Sequence, residues 1–119
     1  MKIIPISDLH YGYASDRFKF WPETEYLKEI LPRSVDSIPL NEPVVFVLAG
    51  DLEGFPVKHL LQTHPNAYVV AIPGNHDYWW SSLSKVHAEW PKLGDNQRCF
   101  FLEKGVVEID EVVFLGTTL

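Results

Sequence analysis

"VVAIPGNHDYWW", residues 69 to 80, is the stretch from which the fold is read. A run of Val and Ile breaks at Pro73-Gly74 and opens on Asn75, His76 and Asp77. β-Branched residues without alternation suit a strand buried on both faces, and Pro-Gly ends it in a turn. The same grammar occurs twice upstream. "KIIPI" runs into Ser7-Asp8-Leu9-His10, and "PVVFVLA" runs into Gly50-Asp51. Three short apolar runs thus each stop at turn-forming or helix-capping residues, as strands feeding helices do.

The intervening segments read as helices. "PETEYLKEILPRSV" (22–35) has Pro22 and Glu23 in its first turn and shares a face between Tyr26, Leu27, Ile30 and Leu31. "FPVKHLLQTH" (55–64) buries Val57, Leu60 and Leu61, and "DYWWSSLSKVHAEWPKL" (77–93) is a third helix, ended by Pro91 and Gly94. Beyond it, "RCFFLEKG", "VVEID" and "VVFLGTTL" read as strands, with "EKG" and "DE" as hairpin turns. The expected order is three βα units followed by a β-meander. That pattern belongs to an α/β fold with a parallel sheet, the trailing strands adding an antiparallel edge or starting a second sheet.

Bulk composition narrows the function classes. The 119 residues suit one domain; 46% are apolar and 22% charged, which is ordinary for a globular chain. The net charge of −6, without a Lys/Arg cluster, argues against duplex DNA or a membrane surface held by electrostatics. A single cysteine, Cys99, allows no intrachain disulfide and fits a core position in a reducing compartment. "MKIIPISDLH" is too short in its apolar run for a signal peptide, so a cytoplasmic location is expected. "VVFLGTTL" is an apolar strand at the end of the sequence, which points to pairing with another copy through a strand edge or to a longer parent chain.

Asp8, His10, Asp51, Asn75 and His76 each have a plain structural reading as a cap, a turn residue or a satisfied polar side chain. Taken together they point to a site. Ligands of open α/β sheets bind beyond the carboxyl ends of the strands, where all of these residues fall. Carboxylate and amide oxygens mixed with imidazole suit Mn, Fe or Zn. A nucleotide-binding Rossmann-like domain would need a glycine-rich turn after the first strand, and "SDLHYG" is not one. Gly74 is followed by no Lys-Ser/Thr, which excludes a P-loop.

"SDLH", "AGDLE" and "GNHD", in that order, resemble the first three signature blocks of the calcineurin-like metallophosphoesterases. "VVEIDEVVFLGTTL" resembles the hairpin that follows in many members. The resemblance implies a metallophosphoesterase-like four-layer αββα sandwich, here its N-terminal portion, in a single domain spanning 1–119. It also implies a binuclear site for two divalent ions. Asp8 and His10 would hold the first, Asp51 would bridge both, and Asn75 would hold the second. His76 would donate a proton to the leaving oxygen of a phosphate ester, and Asp77 would orient its imidazole. The ions would supply the positive charge that brings water and phosphate together for hydrolysis of a phosphomonoester or phosphodiester.

The family pattern continues with a lone His block and a Gly-His-x-His block. No Gly-His follows Asn75, and the only later histidine is His87, read as an exposed helix residue; His59 and His64 are read as surface residues. The domain is therefore expected to be incomplete at its C-terminus, with a weak second metal site. The competing expectation is a phosphoesterase-like module that binds or assembles without catalysis.

Overall fold

Strands β1 (Lys2–Ile6), β2 (Val44–Ala49) and β3 (Ala67–Ile72) lie side by side in parallel in a computed structural model of the chain. The residues described are 1–8, 37–39, 41–51, 57–78, 82–89, 92 and 97–118, without the side chains of Lys58, His59 and Glu89. The helix expected over 22–35, His10, Trp79 and Trp80 lie outside them. Register sets Ile4 beside Phe46 and Phe46 beside Val69.

The period of two along each strand sorts the core into two clusters. Val44, Phe46, Leu48, Val69 and Ala71 face helix α1 (Val57–Thr63), which buries Val57 and Leu60 against them. Val45, Val47, Val70 and Ile72 face the other way. There they meet Val107, Ile109 and Phe114 of a second sheet, formed by β5 (Gly105–Ile109) and β6 (Val112–Gly116). The described layers thus run helix, sheet, sheet. Strand β2 is buried on both sides because its hydrophobic run is uninterrupted. β5 and β6 alternate instead and leave Val106, Val113 and Leu115 exposed.

The β5–β6 hairpin forms where "DE" marks a turn. Asp110 and Glu111, at φ 47° and 64°, connect antiparallel strands whose last pair is Ile109 and Val112. Two left-handed residues in a two-residue loop are the mark of a type I′ turn, whose twist matches that of the strands.

The expected meander, by contrast, is corrected at its first strand. β4 (Cys99–Phe101) joins the first sheet parallel to β3, giving the order β1-β2-β3-β4. Val69 N–H donates to Arg98 C=O (2.7 Å) and Leu102 N–H to Ala71 C=O (2.9 Å). The physical reason lies in the side chains: Cys99 packs into the helix-side core and Phe100 and Leu102 into the inter-sheet core, so this segment needs cover on both faces. "EKG" still turns the chain, with Lys104 at φ 50°, but it carries the chain from one sheet to the other rather than back along β4.

The third helix also begins later than its sequence suggests. Asp77 and Tyr78 belong to a 3-10 turn (His76–Tyr78), and helix α2 runs Leu83–Glu89. Ser82 caps it: its Oγ accepts from Lys85 N–H (3.2 Å) and its C=O from Val86 N–H (3.0 Å). His64 is corrected from surface to core. It is 1% exposed, edge-on to Phe46 with ring centroids 5.4 Å apart, and Thr63 Oγ1 lies 2.9 Å from its Nδ1. Arg98 closes the same corner by donating to Pro65 C=O (2.9 Å). Among the described residues no helix is long and apolar enough to cross a membrane.

Candidate functional site

Parallel strands end on one side of their sheet, so Asp8, Asp51 and Asn75 follow β1, β2 and β3 at that edge. The ladder continues past β1, where Asp8 N–H donates to Gly50 C=O (3.1 Å). Asp8 and Asp51 both turn into the left-handed region, at φ 56° and 53°, and Gly50 lies at 88°. Short polar residues and glycine tolerate that region best, which explains why the strands stop on these residue types.

Two glycines let the ends of β2 and β3 close up. A Cβ on Gly50 would lie 2.9 Å from Gly74 Cα, and one on Gly74 would run into the Asp51 carboxylate. Backbone against backbone, with no side chain between, seats Asp51 directly over the Pro73–Tyr78 loop. Its Oδ1 accepts from His76 N–H (2.9 Å) and its Oδ2 lies 2.9 Å from His76 Nδ1. Asp51 is 7% exposed, the one charged side chain buried among the described residues. Burial of a carboxylate is unfavourable unless donors or cations compensate it.

The loop itself is wound by short-range bonds. Asp77 N–H donates to Gly74 C=O (3.2 Å) and Tyr78 N–H to Asn75 C=O (3.2 Å). Asp77 Oδ2 accepts from Gly74 N–H (2.8 Å), which ties the acidic side chain to the backbone of the turn. Asn75 is exposed at its apex. The structure therefore brings Asp51, His76 and Asp77 together around Gly74, with Asp8 attached through Gly50. Among the described residues no three His, Cys, Asp or Glu side chains converge closely enough to hold a metal ion.

A second group of polar residues buttresses the loop, and only part of it is visible in sequence. Tyr78 Oη lies 2.9 Å from His87 Nε2 and 3.3 Å from Thr118 Oγ1. Thr118 Oγ1 donates to Pro73 C=O (3.1 Å), and Thr118 N–H donates to Glu103 Oε2 (3.0 Å). His87 is thus half-buried between Tyr78 and Phe101, not exposed on its helix. Burial pushes the Tyr78 phenol above its ordinary range; the Thr118 hydrogen bond opposes this, and the negative charges of Glu103 and Asp77 add to it. Hydrogen bonds from Thr118, side chain then backbone, hold the Glu103 carboxyl below its ordinary value. The signal for this group was the strand-end rule itself, since "VVFLGTTL" also runs from an apolar strand into hydroxyl side chains.

A model of the calcineurin-like phosphoesterase family matches residues 1–116. The chain belongs to that family. Comparison with curated proteins and with solved structures gave no match. Membership carries phosphoester hydrolysis and the use of divalent metal ions as general properties of calcineurin-like phosphoesterases. The residues at the strand ends fit such ions in kind. A buried carboxylate, Asp51, stands between strand ends that carry a second carboxylate, an amide and an imidazole.

Proposed function

We propose that this calcineurin-like phosphoesterase domain hydrolyses phosphomonoesters or phosphodiesters at a binuclear metal site. The observation that carries the reading is the buried Asp51 carboxylate, with both oxygens engaged by His76 where the central parallel strand ends. In this reading Asp8 and His10 hold the first ion, Asp51 is shared, and Asn75 holds the second through its side-chain oxygen. Mn, Fe or Zn suit that donor set. Bound there, the ions supply Lewis acidity toward water and the phosphoryl oxygens.

The remaining work falls to the chain's own residues. His76 N–H fixes the rotation of the Asp51 carboxylate, so that oxygen positions are set before substrate arrives. The His76 imidazole gives its proton to the leaving alkoxide, a contribution of roughly 10²–10⁴-fold for a placed general acid. Asp51 Oδ2, 2.9 Å from Nδ1, orients that imidazole in the described geometry. The bond from Gly74 N–H to Asp77 keeps the turn that carries it closed, with Asp77 beside the ring in sequence to take over its orientation. In this reading the wider architecture is the four-layer αββα sandwich, to which the described residues contribute one helix layer and two sheets.

Metal content per chain tests the reading. Protein titrated with Mn²⁺ should take up two ions, the second more weakly than the first, and Asp51→Asn should lose both while Asn75→Ala loses fewer. Bis-p-nitrophenyl phosphate and p-nitrophenyl phosphate would then report diesterase and monoesterase turnover. One ion or none, with neither ester cleaved, would overturn hydrolysis by this chain in favour of a binding or assembly module.

A further inference from the structure

Thr118 joins the two ends of the loop that carries Asn75, His76 and Asp77. Its hydroxyl donates to Pro73 C=O at the entry and lies within hydrogen-bond reach of Tyr78 Oη at the exit. Each hydroxyl has one proton, and that sets a direction. A carbonyl only accepts, so the Thr118 proton points to Pro73. Tyr78 must then donate its proton to Thr118. His87 Nε2, 2.9 Å from the same phenol oxygen, must donate to it. The chain of bonds runs His87 Nε2–H to Tyr78 O–H to Thr118 O–H to Pro73 C=O.

Two further features put Thr118 in place. A Cβ on Gly116 would lie 2.5 Å from Leu102 Cβ and 2.9 Å from Ile72 Cγ2, so only glycine lets the end of β6 press against the end of β3. Two residues on, Thr118 N–H is anchored by the Glu103 carboxylate where the chain changes sheets.

We propose that Thr118 is a positioning residue for the candidate acid His76, acting through its bonds to Pro73 C=O and Tyr78 Oη at the two ends of the loop that carries His76; the direction of the same bonds fixes His87 as its Nε2-protonated tautomer. The inference rests on the proposed metallophosphoesterase site for its consequence, but its geometry stands apart from metal and substrate. Ring ¹⁵N shifts of His87 in the unsubstituted, metal-free protein, above the pH at which the ring takes a second proton, read the tautomer directly. A pyrrole-type Nε2 is expected, and a pyridine-type Nε2 overturns the chain.

Amide hydrogen exchange then reads the loop. Thr118→Val should speed exchange at Asp77 and Tyr78 by about 3–10-fold, the equivalent of one net hydrogen bond. Thr118→Ser, which keeps the hydroxyl, should stay within about twofold. Unchanged exchange in Thr118→Val, or equal acceleration in both variants, refutes the positioning role. Mn²⁺ titration runs in parallel and should weaken in Thr118→Val but not in Thr118→Ser. Failure of the unsubstituted protein to take up Mn²⁺ would refute the metal site alone, with ring shifts and exchange still deciding Thr118.

Discussion

Replacing Gly74 by alanine puts a methyl carbon where Asp51 already stands. The added carbon would fall 2.5 Å from the Asp51 backbone nitrogen and 2.8 Å from its Cγ, where ordinary contact is 3.4–4 Å. The carboxylate can swing aside, but the backbone nitrogen moves only if the ends of β2 and β3 part. Gly74 does not lie in the left-handed region, so contact alone sets the penalty. Overpacking of this kind is worth about 1–3 kcal/mol. Displacing Asp51 from His76 N–H adds about 1 kcal/mol, the middle of the range for a hydrogen bond. Gly74→Ala should therefore lose about 2–4 kcal/mol, a melting shift of roughly 8–16 °C at about 4 °C per kcal/mol. Urea titration followed by fluorescence of the four tryptophans measures it, as a lower midpoint at unchanged slope. Gly50→Ala adds a left-handed penalty of about 1–2 kcal/mol to a contact at 2.9 Å, and the double variant should be non-additive because the two sites touch. Stability of Gly74→Ala within about 0.5 kcal/mol of the parent would refute the close apposition.

Three further outcomes follow from particular contacts. Phe46→Ala, at a residue with no exposure between α1 and the first sheet, should destabilise by about 3–5 kcal/mol in the same titration. Glu111→Gly relieves a left-handed glutamate in the β5–β6 turn and should raise stability by about 0.5–1 kcal/mol, checked by calorimetry. Glu103 has its folded carboxyl lowered by Thr118, so its contribution is present above the unfolded value and lost as pH falls through the folded one. Urea midpoints of the parent and Glu103→Gln should therefore converge as the pH falls through the acid range, and a difference independent of pH would refute the linkage.

Much of this architecture was legible because burial leaves a local mark. Uninterrupted β-branched runs gave β2 and β3, since strands covered on both faces have no polar face to show; β1 was read the same way but is the edge strand of the described sheet, with Ile3 exposed. The strand ends placed Asp8, Asp51 and Asn75 along one edge, because parallel strands all stop on the same side of their sheet. What failed was local chemistry with a non-local outcome. "EKG" has the residues of a turn and makes one, but which sheet receives the next strand depends on Phe100 and Leu102 finding an inter-sheet core. His64 follows its helix, so no helical period showed that it packs on Phe46. Asp51 and His76 meet across 25 residues, and Tyr78 and Thr118 across 40. No spacing rule reaches that far.

The bond between Thr118 and Pro73 also has a consequence for biosynthesis. The loop bearing His76 leaves the ribosome before the residue that ties its ends together, 45 residues after Pro73. At about 5–20 residues per second that interval is roughly 2–9 s, long against the microseconds in which the β5–β6 hairpin can form once it is made. For those seconds the nascent loop has its Asp51 partner but not its Thr118 brace. During that interval the loop is tied on one side alone, so the order of translation leaves the spacing between Pro73 and Tyr78 to be fixed last.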